Sequence, residues 1–172
     1  MNTTIDTYRK LSHELPQIPL HLGVTEAGGI RQGTIKSSIA LGTLLAEGIG
    51  DTMRVSLTAD PIEEVPVAWG ILSALGLRRR GPEMISCPTC ARCQVNLIDI
   101  ASEVERRLSS CAKPVSVAVM GCAVNGPGEA SDADVGVACG KGCALLFKQG
   151  EIIRKIPEDA IVDELLNEIS KL

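Results

Sequence analysis

The sequence predicts an α/β protein in two unequal parts, and three observations carry that expectation. Strand-like apolar stretches alternate with helical periodicity as far as Gly76, the order of parallel β–α units. The basic run Arg78-Arg79-Arg80, closed by Gly81 and Pro82, then breaks the pattern and reads as a solvated linker. A smaller α/β pattern follows, beginning at Glu83-Met84-Ile85-Ser86. The expected parts are therefore residues 1–82 and 83–172.

Taken in order, TTIDTYRKLSHEL has the spacing of a helix, IPLHLGVTE reads as a mostly buried strand, and IRQGTIKSSIALGTLLAEG as a helix with a glycine stop. TMRVSLTAD reads as a second strand. PIEEVPVAWGILSALG reads as a helix opened by Pro61 and stopped by Gly76, with Pro66 placed to kink it. In the second part, QVNLIDIASEVERRL puts Ile98, Ala101, Val104 and Leu108 on one helical face, and PVSVAVMG is a buried strand leading to Cys122. ALLFKQGEIIR predicts a hairpin turning at Gln149-Gly150, and PEDAIVDELLNEISKL a closing amphipathic helix.

Composition narrows the function. At 172 residues and 45% hydrophobic, the chain can bury a core, in one domain or two small ones. A net charge of −4 and 2% aromatic content argue against a nucleic-acid surface, which needs basic grooves and stacking rings. MNTTIDTYRKLSHEL lacks the apolar core of a signal peptide. VSVAVMGCAV is far shorter than the ~20 residues that span a bilayer, so no membrane partner and a cytoplasmic location are expected. Seven cysteines, an odd number without a secretion signal, point to metal binding or catalysis rather than a disulfide framework.

Cys87-Pro88-Thr89-Cys90 is expected where a strand ends and a helix begins, so that N–H groups and the helix dipole favour thiolates. The next strand runs into MGCAVNGPGEASDAD, where Gly126, Pro127 and Gly128 predict a tight loop between Cys122 and Glu129, open to a bulky object. One cysteine pair plus a distant cysteine and a carboxylate suits an iron–sulfur cluster better than zinc, which prefers two close pairs. Structural zinc, a redox dithiol and inert cysteines remain alternatives at this point. Cys93 completes a Cys-x-x-Cys-x-x-Cys run and competes with Glu129 for a fourth iron. Cys111, Cys139 and Cys143 read as packing or surface residues, although CGKGC could take up adventitious metal.

LHLGVTEAGG, EGIGDTMRVSLTADP, CPTC and MGCAVNGPGEASDADVG together resemble the C-terminal part of the 4-hydroxy-3-methylbut-2-enyl diphosphate synthase family, over nearly the whole chain. The resemblance implies a 4Fe-4S cluster held by Cys87, Cys90, Cys122 and Glu129, with Glu129 preferred over Cys93. It implies a fold made of the last two or so βα units of a TIM barrel, followed by a small iron–sulfur domain resembling part of sulfite reductase. Because a barrel needs eight units, the chain reads as a fragment, inactive by itself. Glu26 matches the family's catalytic barrel glutamate, and Arg54 and Ser56 match residues that hold the diphosphate. The activity implied is reductive ring opening and dehydration of 2-C-methyl-D-erythritol 2,4-cyclodiphosphate, with ferredoxin or flavodoxin as electron donor and a homodimer as the complete enzyme. Glu129 then has the further catalytic role of an exchangeable hard ligand.

Each residue also has a plainer reading. Glu26 could be a solvated loop acid, and Arg54 could pair with a structural carboxylate. His21 reads as a satisfied core histidine and His13 as exposed. GGIRQG is an anion site by mechanism, yet it is not a P-loop, since Thr34 stands where a lysine should follow Gly33. A ferredoxin-like electron carrier and a zinc-stapled interaction module are the competing functions.

Overall fold

A computed structural model describes residues 1–124 and 126–172, without the side chain of Pro127. The chain divides into two compact units, Met1–Arg79 and Arg80–Leu172.

In the first unit, α1 (Asn2–Glu14), β1 (His21–Gly23), α2 (Ile30–Ala46), β2 (Thr52–Arg54) and α3 (Glu64–Ala74) follow in order, with a 3₁₀ turn at Pro61–Glu63 before α3. β1 and β2 pair in parallel, Gly23 opposite Arg54. Both strands are shorter than their apolar stretches, although burial continues past them at Val24 and Val55. Leu22, Leu41, Leu44 and Ile71 join these valines to Ile5 of α1 in one core. Gly48 at φ 74 and Gly76 at φ 66 stop α2 and the end of α3 in the left-handed region that glycine adopts without strain. Pro66 breaks nothing, because it lies in the first turn of α3, where its missing N–H would have had no helical partner.

The second unit is a five-stranded sheet in the order β3 (Glu83–Ser86), β4 (Ser116–Met120), β5 (Val135–Gly140), β6 (Cys143–Lys148) and β7 (Glu151–Pro157). β3, β4 and β5 are parallel, and β6 and β7 add antiparallel hairpins. The crossover between β3 and β4 is α4 (Leu97–Leu108); α5 (Gly126–Glu129) lies between β4 and β5, and α6 (Ile161–Ser170) closes the chain. The hairpin at Gln149-Gly150 has both residues at positive φ, 49 and 79, as a two-residue primed turn requires.

Two expectations change here, and one strand had no counterpart among them. β5 lies in a stretch with no strand signal of its own: VGVACG is wholly buried up to Cys139, so it lacks the alternation that marks a half-exposed strand. The buried face of α4 is Leu97, Val104 and Leu108, whereas Ile98 is 64% exposed. Val104 and Leu108 stay on the predicted face, and Leu97 rather than Ile98 completes it, because Leu97 satisfies the i, i+7, i+11 spacing with them. His21 is exposed rather than in the core; its Nδ1 lies 2.8 Å from Thr52 Oγ1.

The sheet has two differently built faces. On one side Val117, Val119, Val135 and Val137 share a core with Val104 and Leu108 of α4 and with Leu165 and Ile169 of α6. Ala118, Met120, Ala138, Ala130 and Phe147 form the other. Gly136 lies between Ala118 and Phe147, and a Cβ there would stand 2.4 Å from Phe147 Cζ and 2.9 Å from the Ala118 carbonyl oxygen. At the surface, Arg107 links α4 to α6 by donating to Asp163 at 2.6 Å, while Glu103 accepts from both Arg106 and Arg107.

Two tests follow. Gly136→Val should lower stability by about 1–3 kcal/mol through overpacking, read as a lower urea midpoint at unchanged slope. In contrast, Gly70→Ala in α3, where nothing lies within 4 Å, should raise it by about 0.5–1 kcal/mol. Hydrogen bonds from Arg106 and then Arg107 hold the Glu103 carboxyl down to about 2 from an ordinary 4.5. A depressed carboxylate stabilises above its unfolded value and ceases to do so as pH falls through its folded value. The stability difference between the wild type and Glu103→Gln should therefore be present at neutral pH and shrink between pH ~4.5 and ~2 in acid unfolding.

Candidate functional site

Parallel pairing decides where the cysteines go. Ser86, the last residue of β3, is in register with Val119 of β4, so Cys87 leaves β3 beside Met120 and Gly121. Cys122 follows one residue later. Both cysteines thus emerge at the C-terminal end of neighbouring parallel strands, the end at which α/β sheets carry ligands. The Gly121 N–H donates to Cys87 Sγ at 3.2 Å, joining the two loops directly.

No helix begins at Cys87, contrary to expectation. Pro88 disfavours helical backbone in the residue before it, and the segment turns through Cys90 N–H to Pro88 O at 2.8 Å and Cys93 N–H to Cys90 O at 2.9 Å; α4 starts only at Leu97. A helix dipole therefore does not act on these sulfurs. Individual N–H groups do: that of Arg92 first, with its guanidinium in support, lowers the thiol pKa of exposed Cys90 from its ordinary value.

The tight stretch expected after Cys122 is a helical turn rather than an irregular loop. Gly126 N–H donates to Cys122 O at 3.2 Å and Ala130 N–H to Gly126 O at 3.1 Å, so Gly126–Glu129 forms one helical turn. Gly126 sits where a Cβ would be 2.8 Å from Ala138 Cβ and 2.9 Å from Met120 Cβ, so its lack of a side chain brings this turn down onto the sheet. Glu129 ends the turn and is exposed. Asn125 and the side chain of Pro127, both part of the sequence motif, lie outside the described residues.

The other cysteines are placed differently. Cys93 is half-buried, and its thiol donates to Val95 O at 3.3 Å. Cys139 is fully buried in β5, and burial first, with the nearby Cys93, Glu158 and Cys87 adding to it, pushes its thiol up to about 12. Cys111 and Cys143 are half-buried, Cys111 against the core. Among the described residues, no three His, Cys, Asp or Glu side chains converge as a mononuclear metal ion requires. An iron–sulfur cluster differs in spreading its thiolates over several iron atoms. Cys87, Cys90, Cys122 and Glu129 suit such a group in donor chemistry, and Cys87 and Cys122 leave the same end of the sheet.

In the first unit, Arg54 ends β2, and Glu26 and Ser56 follow the C-terminal ends of β1 and β2. The Arg54 guanidinium lies across Gly23, whose absent Cβ would be 3.1 Å from Nη2. Glu26 is held at φ 57, a left-handed conformation unusual outside glycine, and its carbonyl accepts from Lys36 Nζ at 3.4 Å. The Gly29 N-cap of α2 has no side-chain cap, consistent with the GGIRQG reading of an open helix start. A cleft of about 380 Å³ reaches the same strand end, lined by Thr3, Thr7, Tyr8, Gly23, Val24 and Thr25 among others. Sequence reasoning passed over Gly23, Lys36 and Gly121. The signal for Gly121 was its position directly before Cys122 at a strand end.

Residues 1–69 match the description "GcpE TIM-barrel domain", and residues 83–171 match "GcpE protein C-terminal domain". The chain belongs to the GcpE family. It is 61% identical to a protein of Clostridium acetobutylicum over 98% of this chain and 48% of that one, and 59% identical to one of Ruminiclostridium cellulolyticum over 98% and 48%. A protein of Clostridium perfringens is 58% identical over 100% of this chain and 49% of its own length. All three are named 4-hydroxy-3-methylbut-2-en-1-yl diphosphate synthase (flavodoxin). The chain thus spans about half the length of the curated relatives it matches. No helix among the described residues is long and apolar enough to cross a membrane.

The different surroundings of the sulfurs should separate their reactivity. In the reduced, metal-free chain, native iodoacetamide labelling read by peptide mass spectrometry should modify Cys90 first and Cys139 last. Rapid labelling of Cys139 would contradict its burial.

Proposed function

We propose that this chain carries the cluster-binding and part of the diphosphate-binding machinery of a reductase converting 2-C-methyl-D-erythritol 2,4-cyclodiphosphate into 4-hydroxy-3-methylbut-2-enyl diphosphate. The observation that carries the reading is the meeting of the Cys87 and Cys122 loops at one parallel-strand end, in a chain of the GcpE family. In this reading residues 1–82 are the C-terminal portion of a TIM-barrel substrate domain, about two βα units, and residues 83–172 are an iron–sulfur domain of the sulfite-reductase kind. The full-length enzyme is a cytoplasmic homodimer taking electrons from flavodoxin or ferredoxin.

Cys87, Cys90 and Cys122 would hold a 4Fe-4S cluster as thiolates, with Glu129 as the hard fourth ligand. When bound, the cluster supplies single electrons in sequence and a Lewis-acidic iron. The overall change takes two electrons and two protons, opens the ring at a C–O bond and releases one hydroxyl as water. Arg54, lying across Gly23, offers a guanidinium fork for diphosphate oxygens, and the Ser56 hydroxyl adds a donor at the same strand end. Glu26 manages a proton or stabilises charge near the reacting carbons, its backbone fixed in the left-handed region. Glu129 ends a single helical turn that begins at Gly126, a short element that would present its carboxylate as an exchangeable ligand.

Anaerobic reconstitution with iron and sulfide, followed by absorption and electron paramagnetic resonance spectra, tests the ligand set. Cys87→Ser, Cys90→Ser and Cys122→Ser should each abolish the 4Fe-4S signal, whereas Cys111→Ser, Cys139→Ser and Cys143→Ser should keep it. A zinc-only chain would sink the proposal in favour of a structural zinc module. Turnover needs the missing half: this chain alone should release no product, and a fusion to the N-terminal half of the C. acetobutylicum relative should. In that fusion, Glu129→Cys should still take up electrons yet lose product formation. Normal turnover by Glu129→Cys would mean a closed cluster suffices, as in an electron carrier.

A further inference from the structure

Gly121 occupies a position that neither its conformation nor its exposure explains. It is buried, and it is not among the residues with positive φ, so the backbone itself would accept alanine. Space forbids it instead: a Cβ would stand 2.7 Å from Cys93 Sγ and 3.1 Å from Leu97 Cδ2. Cys93 Sγ cannot simply swing aside, since its thiol is tied to Val95 O at 3.3 Å and Leu97 beside it is 2% exposed. The Gly121 peptide is gripped on both sides. Its carbonyl accepts from Gln94 N–H at 3.2 Å, and the Gln94 side-chain oxygen accepts from Lys141 N–H at 2.9 Å at the β5–β6 turn. Its N–H is thereby aimed at Cys87 Sγ, 3.2 Å away.

We infer that Gly121 is the positioning residue of the cluster site, with Cys93 as its buttress: the Cys93 sulfur fills the space of the absent Cβ, and the fixed Gly121 N–H orients the Cys87 sulfur and neutralises part of its charge. The inference rests on the cluster reading and extends it to two residues that hold no iron. Hydrogen bonds to ligand sulfurs favour the reduced, more negative state of a cluster and raise its potential. Groups that orient a metal ligand also govern how tightly the metal is kept. Cys93 acquires a reason to be cysteine without being a ligand. It is small enough to lie flat against Gly121, and its S–H reaches the Val95 carbonyl at the start of the turn into α4.

The experiment compares wild type, Gly121→Ala, Cys93→Ala and the double variant, each reconstituted anaerobically as the full chain. Cluster retention against a chelator and the reduction potential are read by spectroscopically monitored titration. Gly121→Ala should lose iron about 10- to 100-fold more readily and shift the potential to more negative values. Cys93→Ala alone should retain the cluster, and adding it to Gly121→Ala should restore both retention and potential by freeing the space the new Cβ needs. Wild-type retention and potential in Gly121→Ala would overturn the inference, as would a double variant no better than the single one or complete cluster loss in Cys93→Ala. If the wild-type chain assembles no four-iron cluster, the cluster reading itself falls, an outcome distinct from wild type and Gly121→Ala assembling equally good ones.

Discussion

The second unit depends on one constraint, the parallel register of β3 against β4. β4 is buried at all five positions, so both of its faces are specified: Val117 and Val119 toward the helices, Ala118 and Met120 toward the opposite side. A slip of one residue would exchange these sets and place alanine where valine fills the core. The same register sets Cys87 beside Gly121. Packing of apolar side chains thus fixes the approach of two cysteine loops that are far apart in sequence. Parallel pairing also demands a crossover, and α4 supplies it, resting on the sheet through Leu97, Val104 and Leu108.

The two faces of this sheet divide the work. The valine face packs under α4 and α6, whose Leu165 and Ile169 complete a dense aliphatic core. The other face is built of small residues, Ala118, Gly136 and Ala138, and their lack of bulk admits both the Phe147 ring and the single turn that ends in Glu129. A compact carboxylate-bearing turn can sit there only because Gly126 has no side chain to hold it off Met120 and Ala138. Sulfur chemistry follows from similarly local causes. The Cys90 thiol pKa is lowered by the Arg92 N–H and guanidinium rather than by a helix end, and that of Cys139 is raised by its burial between strands.

In the first unit, three-residue strands form only one parallel pair, too little sheet to be stable without its helices. Leu22 and Val24 from the strand region share one core with Leu41 and Leu44 of α2 and Ile71 of α3. Its strand ends are shaped by backbone economy: Gly23 leaves room for the Arg54 guanidinium, and Glu26 takes a left-handed turn. Departures from ordinary backbone geometry outside glycine are few, Glu26 and Gln149 among the described residues, and one of them falls on the proposed acid of the site.

The sequence by itself determined the alternation of strands and helices, the break near Arg80, the Gln149-Gly150 turn and, through CPTC and MGCAVNGPGE, the kinship and the candidate ligands. These are local signals: periodicity, turn chemistry and spacing act within a few residues. What only the tertiary structure decided is non-local. β5 carried no alternation because both its faces are buried; Ile98 looked apolar enough for the core, but the phase of α4 is set by the sheet beneath Leu97. The placement of Cys93 depended on a contact with Gly121, 28 positions further along the chain by the numbering of the two residues. By spacing Cys93 competes with Glu129 for an iron, whereas in the fold its sulfur occupies the space of the Cβ that Gly121 lacks. No pattern along the chain records which sulfur faces a missing Cβ, because that is settled by the register of two strands and the packing that enforces it.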